Sequence, residues 1–291
     1  MALTLDAQSD DVLSVREYVD YVEREVDVDD MESLCASAPK FKALLNNRAL
    51  ISELIDRQLR NWRDFQSGNA YVGQTLLLAK RPRFFLRANM WLPLAPGIDQ
   101  APLTLDAIAH DHNFAFMTGG YFGSGYATVL YEYDARALAG VPGERVDLRL
   151  VKRTTLPQGK VMFYRATEDV HRQERPEEFS ISINLVVPTL SLTRAQRFFD
   201  VSTGRVSATS HLAQGRPLAL CELASHVGGE TTAQLLADVA QRNPIPHLRA
   251  AAFESLSSLD SQAGAEIGHT MLSDPDGYVR SAVEAALGKQ R

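Results

Sequence analysis

With 291 residues, 45% of them hydrophobic and 23% charged, the chain exceeds the usual size of one domain and suits a barrel-sized core with smaller helical elements. A formal net charge of −6 argues against a nucleic-acid partner, because a phosphate backbone calls for a basic face. Cys35 and Cys221 are far apart, so neither a disulfide framework nor a zinc ribbon is expected; the acidic start and the lack of an apolar run near the roughly 20 residues of a membrane span point to a cytoplasmic protein, neither exported nor membrane-embedded.

Residues 9–68 read as helical. Val12, Val15, Val19 and Val22 recur at helical steps, and Leu44, Leu45, Ile51, Leu54, Ile55 and Leu59 form a second apolar stripe before Ser67-Gly68-Asn69 breaks the pattern. This segment is expected to pack on the strand-rich region C-terminal to it, with a substrate-covering lid as the alternative. From about Tyr71 to Pro188 short apolar runs alternate with Gly, Pro and Asp: TLLLA, RFFLRANMWLP, FAFMTGGYFG, YATVLYEY, VDLRLVKRTTL, KVMFYRA and FSISINLVVP. That rhythm predicts an antiparallel β-barrel, and the lack of interleaved long helices argues against a doubly wound parallel sheet. The cluster Lys80, Arg81, Arg83 and Arg87 alternates with apolar residues and fits a strand.

Past about residue 213 the pattern turns helical again and repeats. Asn243-Pro244 followed by Leu248-Arg249-Ala250-Ala251 and Leu256 recurs, 31 residues later, as Asp274-Pro275 followed by Val279-Arg280-Ser281-Ala282 and Leu287; Leu236 and Ile267 keep the same register. Residues 229–291 resemble short HEAT-like repeats, which implies paired helices that lean on the barrel or dock a protein partner. The predicted division is an N-terminal helical segment at 1–70, a barrel at 71–212 and helical repeats at 213–291.

Three of the seven histidines fall where strands are expected. His110 and His112 are spaced i, i+2, which on a strand turns both imidazoles to one face and offers a metal two adjacent ligands. His171 comes after the run KVMFYRA, and a barrel can return that strand beside the first. His211, His226, His247 and His269 have no mutual metal spacing, and the last two are expected at the surface of the repeat helices. Gly119-Gly120 and Gly123-x-Gly125 read as a hairpin turn; a nucleophile elbow, a phosphate loop and a dinucleotide fingerprint are absent from the sequence.

The His110-Asp111-His112 pair with its succeeding glycines, and Gly159, KVMFY and Glu168-Asp169-Val170-His171 after it, resemble the two motifs of the cupin superfamily over residues 75–190. The resemblance implies an α+β chain: a cupin-type antiparallel β-barrel or jelly roll with an N-terminal helical segment and a C-terminal HEAT-like extension. Many cupins carry a glutamate four or five residues beyond the His pair, whereas Phe116 and Met117 stand there. Three neutral imidazoles without a carboxylate are similar to the cysteine dioxygenase-like branch, which implies Fe(II) held by His110, His112 and His171 and a 2-oxoglutarate-independent oxygenase with no organic cofactor. Asp111 should face away from the ion.

Nitrogen ligands also suit other divalent metals. The expected partners are a small-molecule substrate and dioxygen. Arg87, Tyr121 and Tyr126 are the candidate substrate-facing residues, Arg87 for a carboxylate and the tyrosines as hydrogen-bond donors, each weighed against a salt bridge or core packing. Tyr131 and Trp91 share that ambiguity, and Glu168 and Asp169 are candidate acceptors for an imidazole N–H. Two other readings stand beside the oxygenase: a redox-inactive metal-dependent isomerase or lyase, and a non-enzymatic ligand sensor or scaffold whose repeats dock a partner.

Overall fold

The chain opens with a strand, β1 (Leu3–Leu5), before its helices begin. The computed structural model describes residues 2–61, 63, 66–67, 69, 74–93, 107–189, 193–210 and 215–289; Gly68, His211 and the breaks expected at 70/71 and 212/213 lie outside them. Ser14 starts helix α1 (Val15–Glu25) with a capping box: its hydroxyl accepts the Glu17 N–H, and the Glu17 carboxylate accepts the Ser14 N–H at 2.8 Å. Asp30 caps α2 (Met31–Ala36) through its carboxylate, and α3 (Ala38–Leu45) and α4 (Leu50–Arg60) come next. Tyr18, Val19 and Val22 of α1, Phe41, Leu44 and Leu45 of α3, and Leu50, Ile51 and Leu54 of α4 are buried together. Val12, Ile55 and Leu59, assigned to the same stripes from sequence, lie at the exposed edge instead.

Among the described residues, nine further strands complete the first of two compact units, Met1–Tyr133 with Leu148–Thr189. They are β2 (Thr75–Lys80), β3 (Phe85–Trp91), β4 (Ala109–His110), β5 (Ala115–Phe122), β6 (Ala127–Glu132), β7 (Arg149–Thr155), β8 (Val161–Tyr164), β9 (Asp169–Glu174) and β10 (Ser180–Val187). One sheet runs β1-β8-β5-β10-β3-β2, and a second places β4, β9, β6 and β7 side by side; these strands pair antiparallel in both.

Strand alternation gives the first sheet two unlike faces. Leu86, Ala88, Met117, Tyr121, Val161, Phe163, Ile183 and Leu185 point to the helices and share their core. Phe116, Tyr164 and Val186 point the other way and join Tyr126, just before β6, and Leu130 of β6 in a second core between the sheets. The helical preface therefore backs one sheet, in line with the packing expected of it. Gly119 permits its approach: a Cβ there would sit 2.3 Å from Leu45 Cδ1. Gly119 and Gly120 lie within β5, not in a turn; the turn expected from the glycines is made by Gly123 and Gly125, at φ +79° and +78°.

The second unit, Asp134–Asp147 with Leu190–Arg291, contains the hairpin β11 (Gln196–Asp200) and β12 (Arg205–Ser210) and helices α5 (Gly215–Val227), α6 (Glu230–Arg242), α7 (Pro246–Leu259), α8 (Ser261–Met271) and α9 (Gly277–Lys289). Leu236, Phe253, Leu256, Met271, Val279 and Val283 form its core. Equivalent bonds recur at the 31-residue offset: the Arg249 guanidinium donates to the Asn243 carbonyl and that of Arg280 to the Asp274 carbonyl, while the side chains of Asn243 and Asp274 accept the N–H two residues on. Arg249 also grips Asp274 through two bonds of 2.7 and 2.8 Å, tying one repeat to the next. His247, expected at the surface, is buried edge-on against Tyr278, its counterpart 31 residues later. No helix among the described residues is long and apolar enough to cross a membrane.

Candidate metal centre

Two adjacent strands of the second sheet, β4 and β9, deliver two of the histidines. His110, the last residue of β4, is the register partner of His171 on β9, and His171 in turn faces Leu130 on β6, so both imidazoles enter the core between the sheets. His112 lies beyond the end of β4, in the connection to β5; the expected two-histidine strand stops at its first histidine. The three rings nevertheless converge. His171 Nε2 is 3.1 Å from His110 Nε2 and 3.0 Å from His112 Nε2, with ring centroids 4.6–5.1 Å apart.

The donor set fits a metal ion. The His110 Nδ1–H donates to the Ile108 carbonyl at 2.7 Å, which leaves the Nε2 lone pair directed at the cluster. Burial pushes His112 well below the usual imidazole range, with positive charge on His110, His171 and Arg87 adding to the effect; burial and His110 do the same to His171. Part of His112 reaches solvent, but its Nδ1 is enclosed. Both are neutral at pH 7, the form that binds a metal. Without an ion, the single hydrogen that His171 Nε2 can carry would have to serve two facing nitrogens. Spacings of 3.0 and 3.1 Å match adjacent ligands at right angles about an ion whose bonds to nitrogen are about 2.1 Å long.

Aromatic rings wall the cluster. Phe114 lies 4.5 Å and Phe116 5.0 Å from His112, and Tyr164 lies 4.8 Å from His171 while stacking flat on Phe116 at 4.6 Å. Phe116 therefore faces the histidines, and Met117 points to the helices. Among the described residues, no Asp, Glu or Cys joins the three histidines in a metal-sized group. Asp111, as expected, takes no part; its carboxylate accepts from the Tyr133 hydroxyl.

The other candidates divide by strand parity. Arg87 stands on the inner face of β3, opposite Asn184 in the ladder, with its guanidinium carbon 5.7 Å from the Phe114 ring and its charge felt at His112. Tyr126 is buried on the same interior, packed on Trp91 at 4.3 Å, and Trp91 Nε1 donates to Ser182 at 2.9 Å. Tyr121 is not brought to the site: it lies on the helix-facing side of β5, and its hydroxyl contacts the carbonyls of Asn47 and Arg48 at 2.9 and 3.0 Å. Tyr131 alternates with Leu130 and so faces away from the core between the sheets.

Asp169 does not orient an imidazole, since the Nδ1 atoms of His112 and His171 have no hydrogen-bond partner; its carboxylate accepts the Arg165 N–H and guanidinium, and Glu168 pairs with the same arginine. Sequence reasoning missed Tyr164, whose buried hydroxyl comes near that of Thr128 without hydrogen-bond geometry. Its position, two residues after Met162 and so on the same face of the KVMFY strand, was the available signal.

No family model and no curated protein matches the chain. Solved structures do. The chain is similar to a DMSP lyase (TM-score 0.27, 13% identity), covering 43% of itself and 52% of that chain. It is similar to hydroquinone 1,2-dioxygenase from Sphingomonas sp. TTNP3 (TM-score 0.29, 9% identity; 42% and 69% covered). A third match is an uncharacterized protein with a double-stranded β-helix domain from Klebsiella pneumoniae (TM-score 0.23, 10% identity; 41% and 82% covered). The chain thus spans about half the length of the lyase it matches.

Proposed function

We propose that this chain is a mononuclear non-haem iron oxygenase of cupin type, with Fe(II) held by His110, His112 and His171 and a small molecule as substrate. The observation that carries the reading is the convergence of three Nε2 atoms within a buried, aromatic-walled interior, with no carboxylate among the described residues to join them. A ferrous ion on three neutral ligands keeps its full charge and open positions, and supplies redox chemistry with dioxygen. The protein's share is placement and exclusion. Phe114, Phe116 and Tyr164 keep bulk water from the ligands. Arg87 offers a planar cation on the inner face for an anionic group of the substrate, and Tyr126 lines the same interior. Phe116, in the place of a carboxylate ligand, supports a reaction that needs no 2-oxoglutarate. In the same reading, residues 1–70 support the barrel at 71–212, HEAT-like repeats at 213–291 are structural or offer a docking surface to a protein partner, and the protein works in the cytoplasm.

Anaerobic purification, elemental analysis and oxygen-uptake assays against small anionic compounds test the proposal. Iron with substrate-dependent uptake supports it. Zinc without uptake makes the protein a Lewis-acid isomerase or lyase, and absence of metal makes it a ligand sensor or scaffold.

A further inference from the structure

Of the three histidines, His112 is the one that no strand holds. His110 and His171 are fixed in facing ladders, and His110 is further held through Nδ1, whereas His112 lies outside β4 and its Nδ1 is buried with no hydrogen-bond partner. Its placement has to come through its backbone and its neighbours. The His112 carbonyl accepts the N–H of Thr167 at 2.6 Å, and Thr167 sits in the turn between β8 and β9 that also delivers His171. Thr167 has φ +58°, a left-handed conformation that β-branched residues rarely adopt and that persists only where the surroundings impose it.

The surroundings that impose it are on two other segments. The Tyr133 hydroxyl, just past β6, lies 2.7 Å from the Thr167 carbonyl oxygen and 2.6 Å from Asp111 Oδ2, whose residue is fully buried between the two histidines in sequence. The same turn is closed from beneath by Asp169, which accepts the Arg165 backbone N–H at 2.8 Å and its guanidinium at 2.7 Å. The single phenolic hydrogen of Tyr133 is shared between the Thr167 and Asp111 acceptor oxygens, and this three-centre contact ties three separate stretches of chain to the backbone that aims His112.

We propose that Tyr133 and Asp111, acting through the Thr167 turn, are a clamp that positions His112 against His171 as a metal ligand. They are positioning residues, touching neither ion nor substrate. The inference rests on the metal-centre reading above but does not depend on iron or on oxygen chemistry, because any divalent ion taken up by the three imidazoles would feel the clamp.

The test is titration of the full-length, metal-free protein with Co(II), read both as affinity and as the visible absorption of the bound ion. Tyr133→Phe should bind about 10–100-fold more weakly than wild type, the range typical for lost partners of metal ligands, and should shift the Co(II) bands. Asp111→Ala should behave likewise, whereas Asp111→Asn keeps an acceptor oxygen for Tyr133 and should retain affinity and spectrum. Thr167→Gly keeps the N–H and carbonyl and tolerates the positive φ, so it should bind as wild type does. Wild-type affinity and spectrum in Tyr133→Phe would overturn the clamp. If that variant does not fold, equal Co(II) binding by Asp111→Ala and Asp111→Asn would overturn it instead. A wild-type protein that binds no Co(II) refutes the metal centre itself, and that failure shows before any substitution is made.

Discussion

Acid should destabilise the metal-free protein through its own ligands. His112 and His171 have folded-state pKa values held well below the ordinary imidazole value by burial and neighbouring positive charge. The unfolded chain regains an ordinary imidazole of about 6.5. Below that pH the unfolded state binds one more proton at each histidine than the folded state does, so stability is lost as pH falls, at up to about 1.4 kcal/mol per pH unit per residue. For two residues, moving from pH 8 to pH 5 should cost at most about 4 kcal/mol, against the roughly 5–15 kcal/mol that holds a domain together. Urea unfolding of the metal-free chain at pH 8, 6.5 and 5 measures the loss. His171→Leu removes one of the two protons, so its decline over the same range should be about half as large. A variant whose stability falls with pH as steeply as the wild type would show that His171 does not titrate on unfolding, and would refute the neutral, buried site. Saturating divalent metal should raise stability at pH 8 by mass action and be released as protons compete for the same nitrogens.

His110→Ala, His112→Ala and His171→Ala should each abolish stoichiometric metal content while circular dichroism shows unchanged secondary structure; full occupancy in any one would remove that residue from the site. Substrate turnover should be independent of added 2-oxoglutarate, and an absolute requirement for it with release of succinate would call for a carboxylate ligand that the described residues do not provide. Gly119→Ala should lower stability by about 1–3 kcal/mol, because its Cβ would meet Leu45 Cδ1 at 2.3 Å between sheet and helix; an unchanged urea midpoint would mean that α3 moves freely. Arg249→Ala leaves the half-buried Asp274 carboxylate without its bidentate partner and should cost about 1–3 kcal/mol in the helical unit, whereas Arg249→Lys keeps one bond and should cost less; equal urea midpoints for the two variants would show that the paired geometry contributes nothing.

Periodicity did not mark the short strands β4 and β9 that carry His110 and His171, but it located β2, β3, β5, β6, β7, β8 and β10, the helices before and after them, and the 31-residue repeat, whose arginines reach carbonyls six residues back in both units. These are local properties, because side-chain spacing within a strand or helix is set by its own geometry. The three histidines were legible as a chemical pattern, a His-x-His pair with a third histidine after the run KVMFYRA, although His112 lies outside the strand expected to carry it. What only the tertiary structure decided was which side of each strand is inside. Tyr121 and Tyr126 are five residues apart and equally eligible in sequence, yet the turn at Gly123 and Gly125 leaves one facing Asn47 and the other facing Trp91. Register across distant segments likewise brought β1 beside β8, turned Phe116 toward His112, and set the Tyr133 phenol between Asp111 and Thr167. Each of those contacts joins residues 4 to 160 positions apart, and no local pattern of hydrophobicity carries the information that two particular strands will pair in one register and not in the next.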